Sequence, residues 1–297
     1  MNKIFPKLKN ENLTIGILSV CGDIKDIEAL EHTKEYFEQK GFNVKFSDTC
    51  YKTKNYLCGA DDERVKALNS FFADDSIDII LTARGGYGAI KIIDKIDYEL
   101  IKNNPKPFCG YSDITAFQLM IYKKTGLITY NAPMAYSDFA RDITEYTEKS
   151  FFNVLKKMPE NLNIDNPIVY YNGICNGTLW GGNLSTIQSL CGLDFIPNEP
   201  FVFVVEDINE PVYKIDKMMT QLLNIDEFKN NLVGIVLGNF TGIDNQRYFN
   251  DFWKEASYGL KIPTIGGFKF GHENDKQTFP IGVNVVLDTN AGKIFIL

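Results

Sequence analysis

The first half of the chain alternates short apolar runs with segments of helical periodicity, and this alternation restricts the folds that it can adopt. Strands that alternate with helices form βαβ units, in which the strands are parallel and helices cover both faces of the sheet. The pattern therefore predicts an α/β domain built on a parallel sheet. The predicted strands are 14–20, 43–48, 77–83, 107–111 and 127–131, and the predicted helices are 24–41, 61–75, a segment ending near Ile96, and 113–124.

A second α/β unit follows the first. Residues 138–172 show a looser pattern of one or two helices and polar, proline-containing loops, after which strands and helices resume. The last two strand-like runs are joined by TNAG, which is typical of a β-hairpin. We therefore predict an N-terminal α/β domain over 1–140, a linker over 141–172, and a smaller α/β domain with a mixed sheet over 173–297, with the active site in the cleft between the domains.

Composition and charge argue against several classes of partner. The 297 residues carry a formal net charge of −7 and show no Lys/Arg cluster, so we expect no nucleic-acid partner. The apolar runs are far shorter than the ~20 residues of a membrane-spanning helix, and the N-terminus lacks the apolar core of an export signal. The six cysteines form no CxxC pair. We expect a cytoplasmic protein with no membrane partner, metal or cofactor.

A lone serine lies at the seam of a strand and a helix in the stretch PFCGYSDITAF, residues 107–117. A hydroxyl on such a turn stands above the C-terminal edge of the sheet, where ligands bind in open α/β folds. The free N–H groups of the following helix can stabilise an oxyanion there. Ser112 is therefore a candidate nucleophile, although the last glycine of G-x-S-x-G is missing. The alternative is that Ser112 only caps the helix.

Such a serine needs a general base, and the chain has only two histidines. His32 lies among three glutamates, off the apolar face of its helix, so we expect it to be a solvated surface residue. His272 lies in the glycine-rich loop GGFKFGHENDKQTFPIG. A nucleophilic serine therefore requires Ser112 and His272 to meet across the domain boundary. The alternative is a loop histidine with no catalytic task.

A carboxylate should orient the base and stabilise its protonated form. Glu206 follows five apolar residues of the strand FVFVVED, and alternation along the strand points Asp207 the other way. Glu210 is a weaker candidate for the same role. The alternative is that Glu206 and Asp207 only cap the next turn.

A glycine-rich turn, LTARGGYGAIKII over 81–93, follows another predicted strand. It lacks the third glycine of G-x-G-x-x-G, and the chain has no GK[ST] motif, so we do not predict a phosphate site. Gly85 and Gly86 can instead expose N–H groups towards a substrate carbonyl. Because both turns follow strands of one parallel sheet, we expect this turn to lie beside Ser112.

Five motifs, in order, resemble those of the LD-carboxypeptidase family of serine peptidases, which includes the peptidases that hydrolyse microcin C. They are ARGGYGA, GYSDIT, WGGNLSTIQSLCG, VVEDINEPVYKID and FGHENDKQTFPIG, and the resemblance spans about residues 13 to 290. It implies an N-terminal α/β domain, a smaller C-terminal domain and a Ser–Glu–His triad. In this chain it assigns Ser112 as the nucleophile, His272 as the base and Glu206 as its orienting carboxylate. The implied oxyanion donors are the backbone N–H groups of Gly86 and Asp113.

Two stretches depart from the family's pattern. Asn131-Ala132-Pro133 stands where many members have H-G-P, and Asp216-Lys217 stands where Asp-Arg is common. Because lysine lacks the planar fork of arginine, we expect whatever Lys217 binds to be held differently. Neither change touches the implied triad, but both bear on the identity of the substrate.

The resemblance implies a small peptide substrate and cytoplasmic recycling of peptidoglycan. The bond hydrolysed would join the L-centre of a diamino acid to the terminal D-Ala of a muropeptide tetrapeptide. Arg84 is the candidate cation for the carboxylate of this substrate. The alternative is that Arg84 forms a structural ion pair. The alternative substrate within the family is a microcin-C-type peptidyl nucleotide. Trp180 would then stack on the nucleobase, unless Trp180 packs in the core. A non-catalytic protein that binds a peptide or sugar is the alternative of another class. The oligomeric state is open, with a homodimer as one alternative.

Overall fold

The computed structural model describes residues 2–8 and 11–297 of the chain. Its strands fall into one sheet of six strands and one of eight. They are β1 (Thr14–Leu18), β2 (Asn43–Phe46), β3 (Ile79–Thr82), β4 (Phe108–Gly110), β5 (Thr129–Asn131), β6 (Asn161–Asn163), β7 (Ile168–Tyr171), β8 (Ile174–Asn183), β9 (Phe201–Ile208), β10 (Leu232–Thr241), β11 (Thr264–Gly266), β12 (Phe279–Ile281), β13 (Asn284–Asp288) and β14 (Lys293–Ile296).

The helices pack on these sheets and between them. They are α1 (Ile27–Gln39), α2 (Asp61–Ala73), α3 (Tyr98–Asn103), α4 (Ile114–Thr125), α5 (Glu145–Lys156), α6 (Leu184–Ser189), α7 (Val212–Leu223), α8 (Asp226–Asn231) and α9 (Gln246–Leu260). Helix α1 begins where the Asp26 side chain accepts a hydrogen bond from the Ala29 N–H (2.9 Å). Within the described ranges, no helix has the length and hydropathy needed to cross a membrane.

The first sheet has the strand order β12-β5-β4-β3-β1-β2. The neighbouring pairs among β1 to β5 are all parallel, which confirms the predicted parallel sheet. Strand β3 is buried at every position, as expected for a strand covered on both faces. Strand β12 comes from the far end of the chain and pairs antiparallel with β5. This pairing returns the segment after His272 to the edge of the sheet that carries the Ser112 turn.

The second sheet has the order β6-β14-β13-β8-β9-β10-β11-β7. Strands β8 to β11 are parallel and the flanking pairs are antiparallel, so the sheet is mixed, as predicted. Strands β13 and β14 form the expected hairpin. The segment 141–172, predicted as a linker, contains α5 and both edge strands of this sheet, β6 and β7. The domain boundaries at 140 and 173 stay a prediction.

The prediction of a helix that ends near Ile96 is wrong. Only a short 3-10 helix, Ala89–Lys91, forms there, and turns follow it. Gly88 precedes it with φ +130°, and the Ala89 N–H donates a hydrogen bond to the Asp113 carboxylate over 2.9 Å. This side-chain contact holds the turn against the Ser112 segment.

Helix α4 lies between the two sheets and positions the serine turn at its start. All of its residues except Lys124 are buried, which indicates a central position for a helix. A Cβ added at Gly182 of β8 would come within 2.5 Å of Thr115 Oγ1 in the first turn of α4. The Asn183 N–H also donates to that oxygen, over 3.2 Å. The start of α4 is therefore the place where the first sheet meets the second.

Candidate active site

Ser112 occupies the turn between β4 and α4 and is half-buried. Its φ of +64° lies in the left-handed region, which costs a residue other than glycine roughly 1–3 kcal/mol and is frequent at functional sites. Within the described chain, no N–H of the first turn of α4 donates to the Ser112 hydroxyl. The helix-capping alternative therefore does not account for this side chain.

The glycine turn after β3 lies directly against Ser112. A Cβ added at Gly85 would come within 2.8 Å of Ser112 Cβ and 2.9 Å of Ser112 Oγ. Only glycine leaves room for the hydroxyl at this position. The Gly85 carbonyl accepts a hydrogen bond from the Gly22 N–H (3.0 Å), which fixes the turn to the loop that follows β1. The expected adjacency of the two turns is confirmed.

Two backbone amides beside the hydroxyl are free to bind an oxyanion. Neither the Gly86 N–H nor the Asp113 N–H donates to an acceptor in the described part of the chain. Gly86 has φ +106° and is exposed, and the Asp113 nitrogen lies 3.3 Å from the Cβ position of Gly85. The side chain of Asp113 is buried and engaged with Ala89, and burial raises the pKa of this carboxyl. Asp113 is therefore available to a ligand through its backbone.

Glu206 and His272 are in direct contact. Glu206 ends the apolar part of β9 and is 1 % exposed, and its Oε2 lies 2.9 Å from His272 Nδ1. The Asn183 amide donates to the other oxygen of Glu206 over 3.2 Å and to Asp207 Oδ1 over 3.0 Å. A buried carboxylate held on both oxygens is suited to orient an imidazole.

The electrostatics of this pair favour a protonated imidazole. Burial lowers the pKa of His272, but the hydrogen bond and charge of Glu206, with the charge of Asp207, outweigh it and raise the pKa above its ordinary value of 6.5. Asp207 accepts hydrogen bonds from the Ser185 N–H (2.9 Å) and the Ile208 N–H (2.8 Å) and none from the imidazole. Burial raises the pKa of Asp207 to about 6. Glu210 pairs with Lys214 over 3.3 Å.

The imidazole also contacts the residue that precedes the serine. The rings of Tyr111 and His272 meet edge to face, with centroids 5.1 Å apart. Because Nδ1 of His272 faces Glu206, Nε2 is the nitrogen left for a proton transfer. Among the described residues, no hydrogen bond joins Ser112 Oγ to His272. In unliganded sites such bonds are often long and shorten only when substrate binds.

Comparison with known proteins identifies the family. The LD-carboxypeptidase N-terminal domain matches residues 15–132, and the LD-carboxypeptidase C-terminal domain matches residues 176–287. The chain belongs to the LD-carboxypeptidase family. It is 31 % identical to the "Probable murein peptide carboxypeptidase" of Bacillus subtilis (strain 168), over 96 % of this chain and 91 % of that protein. It is 27 % identical to the microcin C7 self-immunity protein MccF of Escherichia coli, over 88 % of this chain and 86 % of that protein.

Solved structures of family members have the same fold. The muramoyltetrapeptide carboxypeptidase from Oxalobacter formigenes is 27 % identical with a TM-score of 0.83, over 95 % of this chain and 98 % of that one. An MccF-like protein from Bacillus anthracis str. Ames is 27 % identical with a TM-score of 0.89, over 99 % of both chains. The chain is accordingly an enzyme, a serine-type carboxypeptidase, and this replaces the non-catalytic alternative.

The two cationic residues predicted to bind substrate, Arg84 and Lys217, differ in their burial. Arg84 is half-buried, and its Nη1 donates a hydrogen bond to the Asp23 carbonyl over 2.9 Å. The Asp23 carboxylate itself pairs with Lys25. The contact of Arg84 is a structural hydrogen bond to a backbone carbonyl and not the ion pair of the alternative, and it occupies only part of the guanidinium. Lys217 is exposed on α7. Their roles in binding substrate stay predictions.

Trp180 has no face open to a ligand. It is fully buried and packs against four phenylalanines, Phe195, Phe201, Phe203 and Phe228, at centroid distances of 5.0–6.3 Å. This is the core-packing alternative, and it argues against stacking on a nucleobase. His32 is exposed, as predicted.

Sequence reasoning missed the residues that support the pair. Asn183 precedes a helical pattern, which is typical of an N-cap. It has this role in the structure, where its side-chain oxygen accepts a hydrogen bond from the Thr186 N–H (3.0 Å). Its second role, on Glu206, has no local signature. Tyr111 and Lys276 likewise show nothing in their sequence neighbourhoods that points to His272.

Proposed function

We propose that this carboxypeptidase hydrolyses the amide bond between the L-centre of a diamino acid and the terminal D-Ala of a muropeptide tetrapeptide. In this proposal Ser112 is the nucleophile, His272 the general base and Glu206 the residue that orients it. The observation that carries the proposal is the 2.9 Å contact between His272 Nδ1 and the buried Glu206 carboxylate, with Tyr111 of the serine turn against the same imidazole.

The reaction divides into acylation and deacylation. Nε2 of His272 accepts the proton of the Ser112 hydroxyl while the oxygen attacks the amide carbonyl. The C–N bond then breaks, and the amine of D-Ala leaves with the proton from the imidazolium. A water molecule gives a proton to His272 and attacks the carbonyl of the acyl-enzyme. The ester C–O bond to Ser112 then breaks, the imidazolium returns the proton to the Ser112 oxygen, and the shortened peptide leaves. The negative charge of each tetrahedral intermediate is placed beside the Gly86 and Asp113 N–H groups.

The arrangement supports this mechanism in two physical respects. Each oxyanion donor typically contributes about 10²–10³ in kcat because it is already oriented before charge develops. The buried Glu206 stabilises the imidazolium that forms in the transition state, which matches the raised pKa of His272. Arg84 is the candidate cation for the substrate carboxylate, and the exposed Lys217 is a further candidate for substrate binding. Two relatives are named for a murein peptide and a muramoyltetrapeptide, which favours this substrate class.

The test is mass spectrometry of a tetrapeptide that contains diaminopimelate or lysine after incubation with the enzyme. We expect loss of the terminal D-Ala from wild type and no loss with Ser112→Ala, whose circular dichroism spectrum should match wild type. Release of D-Ala by a folded Ser112→Ala variant would exclude Ser112 as the nucleophile.

A second candidate substrate is an aminoacyl or peptidyl nucleotide of the microcin C type. The relative MccF is named for microcin C7 self-immunity, and MccF has been solved in complex with glutamyl sulfamoyl guanosine and aspartyl sulfamoyl adenosine. The buried position of Trp180 removes the aromatic residue suggested for this substrate. Parallel assays with a muropeptide tetrapeptide and an aminoacyl sulfamoyl adenylate decide between the two. A homodimer and a cytoplasmic location remain predictions.

A further inference from the structure

A buried lysine lies in the loop that carries the base. Lys276 is 6 % exposed, and its ammonium forms an ion pair with Asp138, whose side chain is 10 % exposed. Lysine is seldom buried without a specific partner, because removing an ammonium from water is costly. The mechanism above uses neither residue, so the pair calls for an explanation of its own.

The same ammonium faces the tyrosine that contacts the base. Lys276 Nζ lies 4.7 Å from the centroid of the Tyr111 ring and 3.5 Å from its hydroxyl. Cation–π attraction is strongest in such a desolvated position. The Tyr111 ring in turn contacts the His272 ring, with centroids 5.1 Å apart. Lys276 therefore holds the residue next to the nucleophile against the imidazole.

Asp138 is itself fixed to the first sheet. It belongs to a single π-helical turn, Ala135–Phe139, that follows β5, and such turns are frequent at functional sites. Its Oδ2 accepts a hydrogen bond from the Met134 N–H over 2.8 Å. The Tyr136 N–H at the start of the turn donates to the Ala83 carbonyl at the end of β3 (2.8 Å). The ion pair thus ties the His272 loop to the strand ends that carry the serine.

Further contacts dock the same loop on α5. The Lys276 N–H donates to Thr147 Oγ1 over 2.9 Å, and Thr147 Oγ1 donates to the Asn274 carbonyl over 2.8 Å. The Thr278 N–H donates to Ser150 Oγ over 2.8 Å. The loop is therefore anchored on both sides of the lysine, and the ion pair is its one buried charged contact among the described residues besides Glu206–His272.

We propose that Lys276 is a positioning residue that, with Asp138 and Tyr111, locks the His272 loop onto the Ser112 turn and places a positive charge beside the imidazole. The contacts are independent of the substrate. Only the kinetic consequences of the proposal rest on the proposed function.

The charges that face His272 give the proposal a directional test. Glu206 and Asp207 of β9 favour the imidazolium, and Lys276 of its own loop disfavours it. Tyr111 stays a neutral phenol, since burial raises its pKa well above the ordinary value. Removing the Lys276 charge should therefore raise the pKa of His272. Removing the Asp138 charge should leave the ammonium uncompensated and lower it.

The experiment is an NMR titration of the imidazole signals of the full chain. Since the sequence has only two histidines, exposed His32 serves as the internal reference. We expect Lys276→Met to raise the pKa of His272, Asp138→Asn to lower it, and Lys276→Arg to keep it near wild type. Shifts of both charge-removing variants in the same direction, or none in either, would overturn the proposal. If Lys276→Met does not fold, Asp138→Asn and Lys276→Arg still decide it.

Lys269 provides a matched control in the same loop. Its Nζ also lies 4.7 Å from the centroid of a tyrosine ring, that of Tyr146, and it pairs with Asp165 and Asp275 over 3.6 Å. Among the described residues, its ammonium pairs with neither Asp138 nor Tyr111. Lys269→Met should leave the pKa of His272 unchanged. A shift as large as that of Lys276→Met would show a general effect of the loop and would contradict the specific role of Lys276.

Kinetics separate this inference from the proposed function. For tetrapeptide hydrolysis, Lys276→Met should lower kcat/KM by roughly ten- to a hundredfold, the cost of a small misplacement of a catalytic group, and Lys269→Met should stay near wild type. If wild type shows no hydrolysis but the NMR shifts are opposed, the proposed function fails and the positioning role stands. If wild type is active and the shifts are absent, only the positioning role fails.

Discussion

Gly271 lies against Glu206, so that a Cβ at residue 271 would come within 2.6 Å of Glu206 Oε2. The same oxygen contacts His272 Nδ1 at 2.9 Å. Gly271 also has φ +113°, a conformation that costs other residues about 1–2 kcal/mol. The glycine before the base is therefore required both by the space around the carboxylate and by the backbone.

Gly271→Ala should push Glu206 away from the imidazole. We expect kcat/KM to fall roughly a hundredfold, as for other small displacements in a catalytic site. The matched control is Gly192→Ala, because Gly192 has a similar φ of +102° and no atom of the described residues lies within 4 Å of its Cβ position. The control should lose stability in urea denaturation and keep its activity. Wild-type kcat/KM in Gly271→Ala would show that the base does not depend on this contact.

Gly85→Ala should obstruct the nucleophile. Its Cβ would lie 2.9 Å from Ser112 Oγ, so the hydroxyl must turn away from its present position, and we expect at least a hundredfold loss of kcat. Gly259→Ala is the control, since the Cβ position of Gly259 on α9 is open. It should be fully active and about 1 kcal/mol more stable by thermal unfolding. An active Gly85→Ala enzyme would contradict the role of Ser112.

The pH dependence of kcat/KM should follow the state of His272. Only the neutral imidazole accepts a proton, so activity should fall as pH drops through its pKa, and this limb should lie above pH 6.5 because the pKa is raised. Glu206→Gln removes the negative charge beside His272, so that burial becomes the main influence on the pKa of the imidazole. The acidic limb of the pH profile should then move to lower pH, and kcat should fall about 10²–10⁴-fold. An unmoved limb in Glu206→Gln would argue against this pair as the titrating unit.

The same shift has a consequence for folding. A histidine whose folded pKa is raised stabilises the native state at pH values below its unfolded pKa, and this contribution is lost as pH rises through the folded pKa. The difference in free energy of unfolding between wild type and His272→Gln, measured in urea, should therefore shrink as pH rises through the folded pKa of His272. A constant difference between them would contradict the raised pKa.

Asn183→Ala should separate capping from catalysis. Asn183 caps the six-residue helix α6 and holds Glu206, so we expect a loss of about 1 kcal/mol in the free energy of unfolding and a roughly tenfold fall in kcat/KM. Asp97 caps the six-residue α3 through the Leu100 N–H (2.9 Å). Asp97→Ala should lose similar stability with no loss of activity. Equal kinetic effects in the two variants would remove the special role of Asn183.

The periodicity of the sequence and the scarcity of histidine were enough to predict much of the fold and of the candidate site. Alternating runs predict that β1 to β5 are parallel, because strand and helix periods are local properties of the chain. They do not predict the order of these strands in the sheet. Two histidines, one of them on a solvated helix face, leave His272 as the only candidate base. The position of Ser112 between a strand and a helix predicts a hydroxyl above the C-terminal edge of the sheet. In the structure Ser112 occupies that turn, half-buried and in a left-handed conformation.

The contacts between distant segments were decided only by the tertiary structure. Glu206 and His272 are 66 residues apart, and Lys276 and Asp138 are 138 apart. Burial of Trp180 and pairing of β12 with the first sheet depend likewise on how the two sheets pack. Helical and strand periods report which side of an element is buried, but not which surface buries it. The free energy that selects these partners comes from desolvation and packing across the junction, and it exists only once both sheets are in place.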